Sequence, residues 1–201
     1  MIDVPFLSYE TLKRHAEGVL QSSSAKQVFP VDIEIIVESD FEIEIIPIRG
    51  LQAAYQIDAF LSKDLTTISV DDAVLETRLN RYRFSLAHEL GHRVLHSQIL
   101  KNVEFDTIAS WKLCVSTFPD RQYGFLEYQA NTFANALLVP QSELERRFAK
   151  CIGAVRDANL SPEDYPNECL DYISSALGKQ FQVSAETMRI RLDKEQFIHQ
   201  I

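Results

Sequence analysis

Cysteine is scarce in this chain. Cys114, Cys151 and Cys169 are too few and too scattered for a disulfide framework or a cysteine-based zinc site, which predicts a reducing, cytoplasmic setting. Long apolar runs are missing too. No stretch approaches the ~20 apolar residues that a membrane helix needs, so no membrane-spanning segment is expected. The start, Met1-Ile2-Asp3-Val4-Pro5, lacks the basic patch and apolar run of a secretory signal. Positive charge is in deficit: 20 Lys and Arg stand against 29 Asp and Glu, a formal net charge of −9. That balance speaks against direct nucleic-acid binding, which requires a Lys/Arg footprint on the phosphates. It suits a basic protein partner instead, such as a DNA-binding repressor, although net charge mostly sets solubility. The 201 residues are 46% hydrophobic, enough to bury the core of one domain with a small appendage.

Against this background one short motif stands out. His88-Glu89-Leu90-Gly91-His92 places two imidazoles four residues apart with a carboxylate directly after the first. On an α-helix that spacing puts both His side chains on one face in consecutive turns, where they can share one Zn²⁺ at ~2.0–2.1 Å. Glu89 points about 100° around the helix, badly placed as a ligand for the same ion but well placed to act as general base on a water there. The surroundings support a helix over residues 79 to 98: Leu79, Tyr82, Leu86, Leu90 and Val94 form an apolar stripe at i+3/i+4 spacing, and no proline interrupts it. Gly91 costs such a helix ~1 kcal/mol relative to Ala, which suggests a close neighbour. The competing reading is a solvated helix with surface histidines.

Catalytic zinc sites usually have three protein ligands and an open position. Gln98 stands where a metzincin would carry its third histidine, which excludes that class. His96 is one turn beyond His92, and eight residues rise ~12 Å from His88, so packing, support of a ligand or substrate contact fits it better than coordination. The better third ligand is Glu127. Residues 125 to 138 read as a second helix stopped before Pro140, with Leu126, Ala130, Phe133, Ala134 and Leu137 as its buried stripe. Glu127 and Asn131 stand one turn apart at the edge of that stripe. Glu127 would complete a His₂Glu set, and Asn131 would accept a hydrogen bond from the free ring nitrogen of a ligating His. Zinc is the default ion, although His₂Glu also holds Mn²⁺ or Fe²⁺.

These residues resemble the ImmA/IrrE family of metallopeptidases. The resemblance rests on Arg83-Phe84-Ser85-Leu86-Ala87-His88-Glu89-Leu90-Gly91-His92 with Val94-Leu95-His96, and on Glu127-Tyr128-Gln129-Ala130-Asn131-Thr132-Phe133-Ala134 with Leu137-Leu138-Val139-Pro140. It covers roughly residues 25 to 150. It implies a zincin-like catalytic fold, His88, His92 and Glu127 as metal ligands and Glu89 as the catalytic base. The implied activity is zinc-dependent endopeptidase cleavage of a protein that represses transcription, in a stress, phage or mobile-element response. The connection from His92 to Glu127 is longer than the family often has. The rival reading is a non-cleaving metal-binding regulatory or toxin–antitoxin module that binds a transcription factor.

The remaining segments place the motif in an α+β chain. Residues 8 to 21 form an amphipathic helix and residues 30 to 38 a short one, although alternation fits the latter too. Residues 41 to 48, 54 to 61 and 66 to 70 alternate and read as three strands, the last two a hairpin. By resemblance, the strand at 66 to 70 borders the cleft; it reads equally as a plain core strand. Phe105, Trp111, Phe118 and Tyr123, within residues 99 to 124, either line a substrate cleft or cover the core. Tyr123 and Tyr128 flank Glu127, and either is a candidate hydrogen-bond donor to an oxyanion. Beyond residue 161 the chain is helical, Gly178 ending one helix and Ser184 capping the next. The cadence there is that of a helix-turn-helix, but the second helix offers only Arg189, Arg191 and Lys194, so a packing role outweighs DNA reading. The expected organisation is a zincin-like peptidase domain over residues 1–150, with a small three-stranded sheet and the active-site helix, and a helical subdomain over 151–201.

Overall fold

The computed structural model describes residues 3–158 and 161–200. It is mostly helical with one small mixed sheet. Helix α1 (Tyr9–Ser22) begins where the Ser8 side chain accepts from the Thr11 backbone N–H, satisfying one of the orphan donors of a helix start. A π-helical turn over Ile35–Asp40 follows, later and wider than the short helix expected at 30 to 38. Strands β1 (Glu44–Ile48), β2 (Ala59–Leu61) and β3 (Thr67–Asp71) then form a sheet in the order β1-β3-β2. β3 pairs with β1 in parallel and with β2 in antiparallel register, Phe60 opposite Ser69. Pro47 sits on β1, an edge strand, where its missing N–H costs no ladder bond.

Two expectations about this region change. Residues 54 and 55 are helical, in α2 (Leu51–Tyr55), and only Ala59–Leu61 is strand. Asp71 explains the local choice: it accepts from the Gln52 N–H at 2.8 Å as well as from Val74 at 3.1 Å, capping α3 (Asp72–Thr77) and holding α2. The strand at Thr67–Asp71 is paired on both sides, so it is a central strand with no exposed edge. β1 and β2 are the two edges, and β2 is the one beside the cleft.

Helices α4 (Leu79–Leu95) and α7 (Asp120–Leu138) make the most extensive packing contact in the molecule. Gly91 permits it: a Cβ there would lie 3.2 Å from the Ala130 Cα, the Ala130 O and the Phe133 Cδ1. The connection between them holds α5 (Ser97–Lys101) and α6 (Ile108–Val115), which carry a satellite cluster around Val103, Phe105 and Phe118. The chain finishes with α8 (Gln141–Asp157), α9 (Pro166–Phe181) and α10 (Ala185–Lys194). Gly178 lies inside α9, not at its end. Its role is close approach, since a Cβ would meet the Val183 O at 3.1 Å, while Gln182 takes the left-handed cap. Ser184 caps α10 as expected. One buried cluster runs from the sheet (Ile68, Val70) through α4 and α7 (Leu86, Phe133) to α9 and α10 (Leu177, Leu192). No described helix is long and apolar enough to cross a membrane.

Candidate metal centre

The i,i+4 spacing on α4 brings the His88 and His92 Nε2 atoms to 3.0 Å from each other. The packing of α7 then sets the Glu127 carboxylate across from them, 3.4 Å from His88 Nε2 and 3.7 Å from His92 Nε2. Four-coordinate zinc with N and O ligands at ~2.0–2.1 Å separates neighbouring donors by roughly 3.3 Å. Among the described residues this is the group of His, Cys, Asp or Glu side chains able to converge on one ion.

Hydrogen bonding fixes which ring nitrogens carry protons. Gln129 donates from Nε2 to the Pro5 carbonyl at 2.7 Å, so its Oε1 is the atom that faces His96 Nε2 at 3.0 Å. An amide oxygen only accepts, so His96 carries its proton on Nε2 and presents a bare Nδ1. That Nδ1 lies 3.0 Å from His92 Nδ1, which must therefore donate. His92 is left with an unprotonated Nε2. His88 Nδ1 meets Asn131 Oδ1 at 3.0 Å, which gives His88 the same tautomer. The bare Nε2 of His92 thus faces His88 Nε2 and the Glu127 carboxylate. This donor set fits a divalent cation, and both second nitrogens are held as ligating histidines are usually held.

The local electrostatics separate the two rings. Burial, with His88 and His96 alongside, holds His92 well below the usual imidazole range and so keeps it neutral. Burial pulls His88 down as well, but the Glu127 hydrogen bond, the Glu89 and Glu127 charges and Asn131 outweigh it and raise its affinity for positive charge. Glu89 accepts from the Leu61 backbone N–H at 3.0 Å. Burial pushes its carboxyl up to about 7, the His88 charge and the Leu61 bond opposing.

A cleft of about 330 Å³ opens over these groups. Ala59, Phe60 and Leu61 of the edge strand form one wall, and Phe105, Trp111 and Tyr123 form another. The aromatic residues of the 99 to 124 segment therefore divide: these three line the cleft, Phe105 while also belonging to the satellite cluster, whereas Phe118 lies in that cluster and not on the cleft. Tyr123 also separates from Tyr128. Tyr123 is in the cleft, its hydroxyl pushed up to about 12 by burial and the neighbouring Glu127 charge. Tyr128 is exposed and faces a different groove.

Residues 76–193 match the family described as the IrrE N-terminal-like domain, a peptidase family. The chain belongs to this family. The ImmA/IrrE resemblance drawn from residues 83 to 140 is thereby shown, and the family match reaches further toward the C-terminus, through α8, α9 and α10. No curated protein matches the chain significantly. Among solved structures, a Mycobacterium tuberculosis transcriptional regulator shares the fold, with a TM-score of 0.54 and 20% identity over 90% of this chain. The alignment covers 46% of that regulator, so this IrrE-like chain spans less than half of its length.

His96 was readable only as a packing, supporting or substrate-contacting residue; the structure buries it at 1% exposure behind His92. Gln129 lies inside the Glu127–Ala134 block with no role singled out for it, and nothing in the sequence points to the Pro5 carbonyl that aligns it. One signal was available, because Gln129 falls at i+3 from Leu126 and i−4 from Phe133, a polar residue within the buried stripe. Two of the three C-terminal cations are in ion pairs, Arg189 with Asp171 and Asp193 and Arg191, buried, with Glu195, while Lys194 lies over the Tyr128 ring at 5.7 Å.

Proposed function

We propose that this protein is a zinc-dependent endopeptidase that hydrolyses a peptide bond in a protein substrate, a transcriptional repressor or antitoxin-like regulator of the cytoplasm. The observation that carries the reading is the pair of Nε2 atoms, 3.0 Å apart, facing Glu127 at the base of a cleft that also holds Glu89. His88, His92 and Glu127 would hold the ion, with Asn131 and His96 orienting the two imidazoles. When bound, zinc supplies Lewis acidity that makes water a nucleophile near neutral pH and polarises a scissile carbonyl. Glu89 takes the proton from the attacking water and returns it to the leaving amine. Its hydrogen bond to Leu61 keeps the carboxylate in the cleft. Tyr123 is the cleft residue suited to donate to the oxyanion.

Strand β2 supplies a rail for the substrate backbone. Its pairs Asp71 N–H to Asp58 O and Ser62 N–H to Thr67 O mean that residues 58, 60 and 62 turn their peptide groups toward β3. Residues 59 and 61 turn theirs outward, by the alternation of an antiparallel ladder. Glu89 occupies the Leu61 N–H, leaving the Ala59 groups to pair with an extended peptide. The net charge of −9 favours a basic substrate, in keeping with a DNA-binding one.

The test begins with elemental analysis of protein purified without added metal, where about one zinc per chain is expected. Incubation with the natural partner should then yield truncated products for the wild type and none for Glu89→Gln, which keeps its metal. A stable complex without cleavage would mark a binding module, and absence of any metal after zinc is offered would end the peptidase reading.

A further inference from the structure

A second groove, about 370 Å³, lies between α7 and α10. Its walls are mostly apolar: Phe84 of α4, Tyr128 of α7 and Ile190 of α10, with Tyr9 at one side. Tyr128 and Ile190 are exposed, at 41% and 51%. The groove adjoins the catalytic cleft, with Phe84 and Asn131 lining both. Asn131 and Asn135 stand one and two turns beyond Glu127 on α7, so the groove spans roughly 6 to 12 Å from that residue along the helix. An extended chain advances ~3.3 Å per residue. A polypeptide lying in the cleft therefore reaches the groove with the residues about two to four positions from its scissile bond.

Two polar atoms without partners among the described residues lie behind the groove's surface. Asn135, 9% exposed, donates from Nδ2 to the Thr187 carbonyl at 2.9 Å, which fixes its Oδ1 as an acceptor. That Oδ1 has no donor among the described residues. Arg191, 2% exposed, uses its Nη atoms on Tyr9, Gln141 and Glu195, and its Nε–H has no acceptor among the described residues. Both residues line the groove. Both atoms are sealed beneath the groove's surface, so what the groove offers a residue lying in it is the apolar contact of Phe84, Tyr128 and Ile190.

We propose that this groove is a substrate-docking site. It seats a bulky apolar side chain of the polypeptide, two to four residues from the bond that is cut, and extends recognition beyond the metal centre. This inference rests on the peptidase reading. Substrate choice is then set partly by α10, and cleavage favours sites that carry Leu, Ile, Met, Phe or Tyr at that distance.

The experiment is to incubate the zinc-loaded protein with a library of long synthetic peptides and read the cleavage sites by mass spectrometry, with Glu89→Gln as the blank. The expected result is an apolar preference two to four residues from the cut, on one side of it. Ile190→Glu and, independently, Tyr128→Ser should each reduce that preference about tenfold or more, as loss of one buried side-chain contact predicts. Leu113→Glu, the same charge change on an exposed residue of α6, should leave it intact. Thermal unfolding of each variant confirms the fold. If Ile190→Glu and Tyr128→Ser cut with the wild-type profile, the docking site is overturned and the peptidase stands. If Ile190→Glu instead converts a dimer to a monomer in sedimentation, a second copy occupies the groove and the proposal is equally overturned. If no cleavage depends on Glu89, the peptidase reading itself fails and the docking site falls with it.

Discussion

Replacing Gln129 with Leu isolates the chain of bonds that prepares His92 for metal. Gln129 is 2% exposed and makes two bonds, accepting from His96 Nε2 at 3.0 Å and donating to the Pro5 carbonyl at 2.7 Å. Leucine fills similar space and makes neither. Pro5 is exposed, so water replaces its lost donor. His96 is 1% exposed, and its N–H would be left buried and unpaired, at a cost of about 1–3 kcal/mol. For a chain of this size that lowers Tm by roughly 2–12 °C. The larger effect falls on the metal. Without an acceptor at Nε2, His96 gains by moving its proton to Nδ1 and donating to His92, which forces the His92 proton onto the coordinating Nε2. Loss of such an outer partner costs 10–100-fold in metal affinity. Competition with a chromophoric zinc chelator measures this, and thermal unfolding of the metal-free protein measures the other. Gln129→Glu keeps an acceptor for His96 while losing the donor to Pro5, and should retain most of the affinity. Should Gln129→Leu unfold earlier yet bind zinc as tightly as wild type, the tautomer argument is wrong and Gln129 is only packing.

Gly91→Ala gains ~1 kcal/mol of helix propensity but drives a methyl group against Ala130 and Phe133, an overpacking penalty of about 1–3 kcal/mol. The net expectation is a lower Tm and weaker zinc binding as α4 and α7 part; a higher Tm with unchanged binding would contradict the close approach. Glu195 accepts from Tyr9 at 2.7 Å and from Lys13 and Arg191 at 2.8 Å. Burial opposes its charge, but bonds from Lys13, Tyr9 and Arg191 hold its carboxyl below the ordinary value. A depressed folded-state pKa stabilises above the unfolded value and loses that contribution as pH falls through the folded one. Glu195→Gln, which strands Arg191, should therefore cost about 3–5 kcal/mol in urea unfolding at neutral pH, and the gap to wild type should narrow below about pH 4. An equal gap at both pH values would remove Glu195 as the source. Tyr123→Phe should lower turnover roughly 10²–10³-fold with zinc content unchanged, and a near-wild-type rate would exclude it as oxyanion donor.

Much of this site is written in local spacing. An i,i+4 pair of histidines with an intervening Glu needs only a helix to become two candidate ligands and a candidate base on adjacent faces, and the apolar stripe of residues 79 to 94 specifies that helix. Glu127 was legible for the same reason, from the edge of a second stripe. The three-stranded sheet could be counted in the sequence, but its order could not. Strand order depends on which segments meet across the fold, so the alternation that marks residues 66 to 70 as a strand says nothing of its having neighbours on both sides. Ala54 and Tyr55 alternate well enough for a strand, yet Asp71, distant in sequence, captures the Gln52 N–H and favours a helix there.

The proton positions on the metal-facing histidines depend on contacts still further apart, from Pro5 through Gln129 and His96 to His92, spanning 124 residues in a single bond. The second groove likewise exists only because α10 packs beside α7. The sequence by itself determined the two long helices of the candidate site, the side chains they carry to it and the family, since each of these is encoded within a few consecutive turns. The edge strand, the tautomers and the groove were decided by tertiary structure alone, because each arises where segments distant in sequence come into contact.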